Sequence, residues 1–148
     1  MTQTAKHELM IAAADELAER AHAGQFDKAG EPYIKHPRAV ASAFDPITQP
    51  EEFVVALLHD VVEDTEVTLN DLHRMFPSQI VAAVDAITIR PNEARAEYYQ
   101  RVKKNQLATA VKLKDIAHNA DPARLALLDE KTRSRLKAKY ATARQALS

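Results

Sequence analysis

The chain has 148 residues, of which 46% are hydrophobic and 28% charged, a balance that supports a sizeable apolar core and excludes the disordered class. A net charge of −1 gives no global attraction to nucleic acid or to an anionic membrane, so a polyanionic ligand must be held by a local basic patch. The absence of cysteine excludes disulfides, thiolate metal sites and cysteine nucleophiles.

One soluble, cytoplasmic domain spanning residues 1–148 is expected, with neither a secretory leader nor an apolar membrane span. The two glycines, Gly24 and Gly30, lie in one short window. Elsewhere the punctuation is proline, and alanine and leucine dominate over β-branched alternation. The fold class this predicts is all-α, a helical bundle.

A first helix is predicted from about Thr4 to Ala23, with Leu9, Ala13, Leu17 and Ala21 as its inward stripe and Gly24 as its stop. Residues 25–34 read as a loop by Gly30 and Pro32. His36-Pro37 opens a second helix, with proline at its first position, and Asp45-Pro46 ends it. Thr48 and Glu51 have capping-box spacing ahead of a third, buried helix, and Thr68 and Asp71 repeat it ahead of a short one. An apolar helix follows over Ile80–Ile87, then a break at Pro91. A more polar helix over Glu93–Lys104 turns Tyr98, Tyr99 and Val102 inward, and another covers Leu107–Asn119. Asp121-Pro122 caps a short turn, and a basic helix over about Glu130–Leu147 completes the chain. That basic face reads as solvated, and homo-oligomerisation is left open.

Polar residues interrupt this pattern at few places. His59, Asp60, Glu63 and Asp64 arrive within six residues at the end of the buried third helix. Continued as helix, that stretch carries His59 and Glu63 on one strip and Asp60 and Asp64 on the next. Leu107, Val111, Asp115 and Asn119 fall every four residues, so an inward stripe turns polar halfway. A buried carboxylate needs a cation or hydrogen-bond donors. Taken singly, His36 reads as a capping histidine and Asp115 as a partner of Lys112 or Lys114. Together His36, His59, Asp60 and Asp115 form a mixed nitrogen and oxygen set that suits Mn²⁺, Fe²⁺, Co²⁺ or Zn²⁺. Glu63 and Asp64 remain for proton work. His7, His22, His73 and His118 read as structural.

In order, these residues resemble the HD-domain metal-dependent phosphohydrolases, and within them the hydrolase domain of the RelA/SpoT homologues. The resemblance rests on Ala21–Gln25, Lys28–Pro37, Ala56–Thr65 and Val111–Asn119, and it covers nearly the whole chain. It implies a Mn²⁺-dependent enzyme that cleaves the 3′-pyrophosphate of (p)ppGpp, with a small nucleotide as its partner and neither nucleic acid nor membrane. It puts the metal ligands at His36, His59, Asp60 and Asp115 and the catalytic acidic pair at Glu63 and Asp64. Asn119 and Lys28 match substrate contacts. Lys112, with Lys28, Lys35, Arg38 and Lys114, is a candidate for neutralising pyrophosphate.

Two positions depart from the family pattern. Asp27 stands where an arginine implicated in holding the base is usual, and Ala120-Asp121-Pro122 replaces Met-Arg-Thr. Both changes lie on the base and ribose side. They leave open the same chemistry on another nucleotide, such as the 2′-phosphate of NADPH or a nucleotide monoester, and a nucleotide-binding module without turnover.

Overall fold

The computed structural model describes residues 2–148, and among these the ordered elements are ten helices with no strand. They are α1 (Gln3–Ala21), α2 (Lys35–Ala41), α3 (Pro50–Leu58), α4 (Val61–Asp64), α5 (Leu69–His73), α6 (Ser78–Ile87), α7 (Arg95–Lys103), α8 (Gln106–Asn119), α9 (Pro122–Leu125) and α10 (Glu130–Ala146). None is long and apolar enough to cross a membrane.

α3 and α8 form the centre. α3 packs against α1, α2, α6 and α8, and α8 also meets α2, α6, α7 and α10. The composition of α3 explains its place: Val54, Val55, Ala56, Leu57 and Leu58 are all buried, so beyond its first turn it has no face to offer water. α6 closes over it with Ile80, Val81, Ala83, Val84 and Ile87.

Several helix ends differ from the predicted ones. α1 buries Ala14 and Ala18 completely while Leu9 is 57% exposed, so the inward stripe is rotated by about one position from the predicted one. Small residues there let α1 sit close on α3. α2 begins at Lys35, two residues before Pro37, which still lies in the first turn where a missing N–H is harmless. Gln49, not Thr48, precedes α3, and no side chain caps it; Pro50 in the first turn leaves one fewer N–H to satisfy. The Thr68–Asp71 capping box forms as predicted, each side chain accepting from the other's backbone N–H.

The most consequential difference is at residues 59–60. α3 stops at Leu58 and α4 starts at Val61, so His59 and Asp60 occupy a turn rather than a continuous helix. Asp60 has φ −107° and ψ −4°, the bridge region of the backbone map, where many active-site residues sit. The turn sends both side chains toward α8.

Candidate active site

Four side chains from three places converge beneath the end of α3. His36 comes from α2, His59 and Asp60 from the turn, and Asp115 from the middle of α8. His36, His59 and Asp115 are buried, at 3%, 3% and 5% exposure. His36 Nε2 lies 2.8 Å from Asp115 Oδ1 and 3.7 Å from Asp60 Oδ2. His59 Nε2 lies 3.1 Å from Asp60 Oδ2 and 3.5 Å from Asp115 Oδ1. Atoms bonded to one ion at about 2.0–2.2 Å stand about 3 Å apart, so these separations fit a shared cation.

His59 supplies the test of that fit. Its Nδ1 donates to the Ala56 carbonyl at 2.6 Å, which fixes the proton on that nitrogen and leaves a lone pair on Nε2. Nε2 is buried and without a hydrogen-bond partner. A lone pair facing two carboxylates is repulsive unless a positive charge stands between them. Burial works against a charged His59, yet Asp60 and Asp115 hold its pKa well above the ordinary value. The same pocket that attracts a proton there attracts a divalent ion.

Each remaining group is held by a neighbour of matching chemistry. Tyr33 Oη donates to Asp60 Oδ2 at 2.7 Å. Lys112 Nζ donates to Asp115 Oδ2 at 2.9 Å, and Asn119 Nδ2 to Asp115 Oδ1 at 3.0 Å. Burial alone would raise the Asp115 carboxyl, but Lys112, then His59 and His36, hold it well below the usual range. Burial and the Asp60 charge push the Tyr33 hydroxyl up, so it stays a donor. His22 reaches Gln25 at 2.8 Å, and Gln25 donates to the Asp64 carbonyl at 2.9 Å. The loop after α1 is thereby tied to α4.

Glu63 and Asp64 sit at the rim with Asp60, all three offering oxygens within 4.8 Å of one another. Glu63 Oε1 accepts from the Ile89 N–H at 2.9 Å. Asp64 is pushed up to about 6, by burial first and then by the charges of Asp60 and Glu63.

Of the predicted basic residues, Lys112 faces this site through Asp115, while Lys28 lines a neighbouring cavity. The others are engaged elsewhere or lie apart: Lys35 pairs with Glu31, Arg38 with Asp15, and Lys114 lines an outer groove. In their place α7 and α10 contribute Arg95 and Lys139, which line the cavity above His36, Asp60 and Asp115 with Tyr99 and Tyr140. Burial, then the charges of Arg95, Lys112, Lys28 and Arg135, lower the pKa of Lys139. That is the signature of a cation crowd. Neither residue had a local sequence signal, because both come from helices whose polar faces read as solvent-facing. Tyr33 and His118 do lie inside the motif segments, and their spacing next to Asp60 and His36 is tertiary. His118, which reads as structural in the sequence, stands 2.8 Å from His36.

A cavity of about 320 Å³ adjoins the site and shares Tyr33, Asn119 and Tyr140 with it. Its walls are mostly apolar, with Phe26, Leu125 and Leu136 among them. Asp27 is on this wall. One of its oxygens accepts from the Ala29 and Glu31 N–H groups at 2.9 Å, and the other lies 3.6 Å from Arg124. Position 27 is therefore acidic, but a guanidinium reaches the same wall from α9.

With this geometry in hand, the comparisons are specific. Residues 14–129 match the HD domain. The chain is 36% identical over 115 residues to guanosine-3′,5′-bis(diphosphate) 3′-pyrophosphohydrolase of Haemophilus influenzae, covering 70% of this chain and 17% of that one. It is 35% identical to the bifunctional (p)ppGpp synthase/hydrolase SpoT of Escherichia coli, covering 70% and 16%, and 38% identical to a GTP pyrophosphokinase of Streptomyces coelicolor, covering 74% and 14%. The chain thus spans less than a fifth of the length of these relatives. A solved structure described as a metazoan orthologue of SpoT that hydrolyses ppGpp superposes with TM-score 0.74 at 23% identity, over 93% of this chain and 83% of that one. The shared architecture is the helical fold described above.

Proposed function

Since the chain belongs to the HD-domain family, we propose that it is a metal-dependent phosphohydrolase that removes the 3′-pyrophosphate of (p)ppGpp, yielding GDP or GTP and pyrophosphate. The observation that carries this reading is the buried, unpartnered His59 Nε2 between the carboxylates of Asp60 and Asp115. The names of the Haemophilus and Escherichia relatives support the substrate.

His36, His59, Asp60 and Asp115 would hold the ion, Mn²⁺ in this proposal; the same donors also accept Fe²⁺, Co²⁺ or Zn²⁺. When bound, such an ion supplies Lewis acidity toward a phosphoryl oxygen and acidifies water to a pKa of about 7. Glu63, held by the Ile89 N–H, orients the attacking water, and Asp64, raised to about 6, accepts its proton close to neutrality. The water oxygen bonds to the phosphorus next to the ribose. The bond from that phosphorus to the 3′ oxygen breaks, and the 3′ oxygen keeps the electron pair and takes up a proton. Arg95, Lys112 and Lys139 balance the charge of the departing pyrophosphate. Asn119 lies toward the sugar, and the base enters the adjoining cavity beside Lys28 and Arg124.

A second reading stays open at Asp27, because position 27 lacks the planar guanidinium that could stack on a purine: the same chemistry on the 2′-phosphate of NADPH or on a nucleotide monoester. A binding module without turnover is the third. Mn²⁺-loaded protein incubated with ppGpp, NADPH and nucleoside monophosphates, with products separated by ion exchange, distinguishes them. Pyrophosphate from ppGpp alone is expected. Orthophosphate from NADPH selects the second reading, and tight ppGpp binding without product selects the third.

A further inference from the structure

His118 lies on α8 three residues after Asp115 and belongs to none of the roles above. Its Nδ1 is 2.8 Å from Nδ1 of His36. The two rings stack, with centroids 5.0 Å apart and planes 27° apart. Two ring nitrogens at that distance share one proton, so one donates and the other accepts. If His118 were the donor, the neutral His36 ring would carry its proton on Nε2, directed at Asp115. That tautomer leaves no lone pair for an ion. If His36 is the donor, its Nε2 lone pair faces Asp60 at 3.7 Å and Asp115 at 2.8 Å, and a cation there takes the place of the proton that otherwise bridges Nε2 to Asp115.

We propose that His118 is a positioning residue that fixes His36 as a metal ligand by accepting its Nδ1–H. The four groups then have parallel supports: Ala56 for His59, Tyr33 for Asp60, Lys112 and Asn119 for Asp115, and His118 for His36. His118 differs from the others in being an uncharged imidazole acceptor, where a carboxylate or backbone carbonyl is the common choice. A neutral acceptor orients the ring without adding a further negative charge to a site that already has two carboxylates. It also lines the outer groove with Lys114, Asp121 and Arg144, so its own Nε2–H has a route to water.

This inference rests on the metal-site reading but not on the substrate, and its test reads metal binding rather than turnover. Mn²⁺ affinity is measured by calorimetric titration for the wild type, His118→Phe and His118→Asn. Phenylalanine keeps the stacked ring and removes the acceptor; asparagine places an amide oxygen where Nδ1 was. His118→Phe is expected to bind Mn²⁺ about 10–100-fold more weakly, with His118→Asn recovering most of the loss. Equal affinity in His118→Phe, or an equal loss in both variants, overturns the proposal. A measurement on the wild type needs no variant to fold: nitrogen-15 NMR of the Zn²⁺-loaded protein should show His36 protonated at Nδ1 and His118 at Nε2, and the reverse pair of tautomers overturns it. Wild-type protein that takes up no divalent ion overturns the metal-site reading itself, and this proposal with it.

Discussion

Asp64 has a carboxyl lifted to about 6 by burial and by two neighbouring carboxylates, and His59 is raised by Asp60 and Asp115 against the effect of burial. Both folded-state values exceed the unfolded ones, so these two groups bind more protons in the native metal-free protein than in the unfolded chain. His118, lowered to about 4 by burial and then by His36, acts in the opposite sense and offsets part of the effect. For Asp64 the cost of its charge is relieved as pH falls through about 6 toward the ordinary carboxyl value of 3.8. For His59 the stabilisation is full below its unfolded value of 6.5 and is lost as pH rises through the higher folded value. The chelator-treated protein should therefore melt higher at pH 6 than at pH 8 by calorimetry. Mn²⁺ displaces the proton of His59, so its apparent affinity should rise over the same interval. Glu63 differs in having a fixed backbone donor at Ile89. Glu63→Gln should retain Mn²⁺ in a binding titration yet lose about 100-fold or more in kcat, the scale of a positioned acid–base group. Full activity in that variant would remove Glu63 from proton handling.

At the level of elements, the break between α3 and α4 is what brings the acidic pair and the histidine–aspartate pair to one place. α3 is anchored by the buried apolar run Val54–Leu58, and Leu57→Ala should cost about 2–5 kcal/mol in denaturant unfolding, the range for an unrelieved core cavity. The far wall depends on Arg101. This residue donates to the carbonyls of Asp85, Ala86 and Thr88 and to Glu93, tying the end of α6 to the loop that presents Ile89. Arg101→Ala should speed hydrogen exchange at the Ile89 amide and reduce turnover by up to about 100-fold, the penalty for a slightly misplaced catalytic group. Helix existence and the Thr68–Asp71 cap were legible from periodicity and spacing, because both are local. The end of α3 was not, because Phe53 to Asp64 has no glycine or proline to mark the turn. The rotation of α1 escaped for a related reason: alanines buried by close helix approach look like surface alanines in a pattern of large apolar residues.

Across the whole molecule, a net charge of −1 conceals a strongly charged site. Asp60 and the buried Asp115 lie at its base, Lys112 pairs with Asp115, and Arg95 and Lys139 line the same cavity. Such a cavity suits a cation and a polyanion together, and KM for a polyphosphate substrate should rise with ionic strength as the basic wall is screened. The cluster of His36, His59, Asp60 and Asp115 was readable because each stands in a short motif, and the fold brings the four together. The basic wall was not, because Arg95 and Lys139 come from different helices and meet only in the fold. The central claim is water attack at the phosphorus next to the ribose 3′ oxygen, and the direct measurement is hydrolysis of ppGpp by Mn²⁺-loaded protein in oxygen-18 water, read by mass spectrometry. The label should appear in pyrophosphate, with GDP unlabelled. Label in GDP, release of orthophosphate, or no reaction would contradict it.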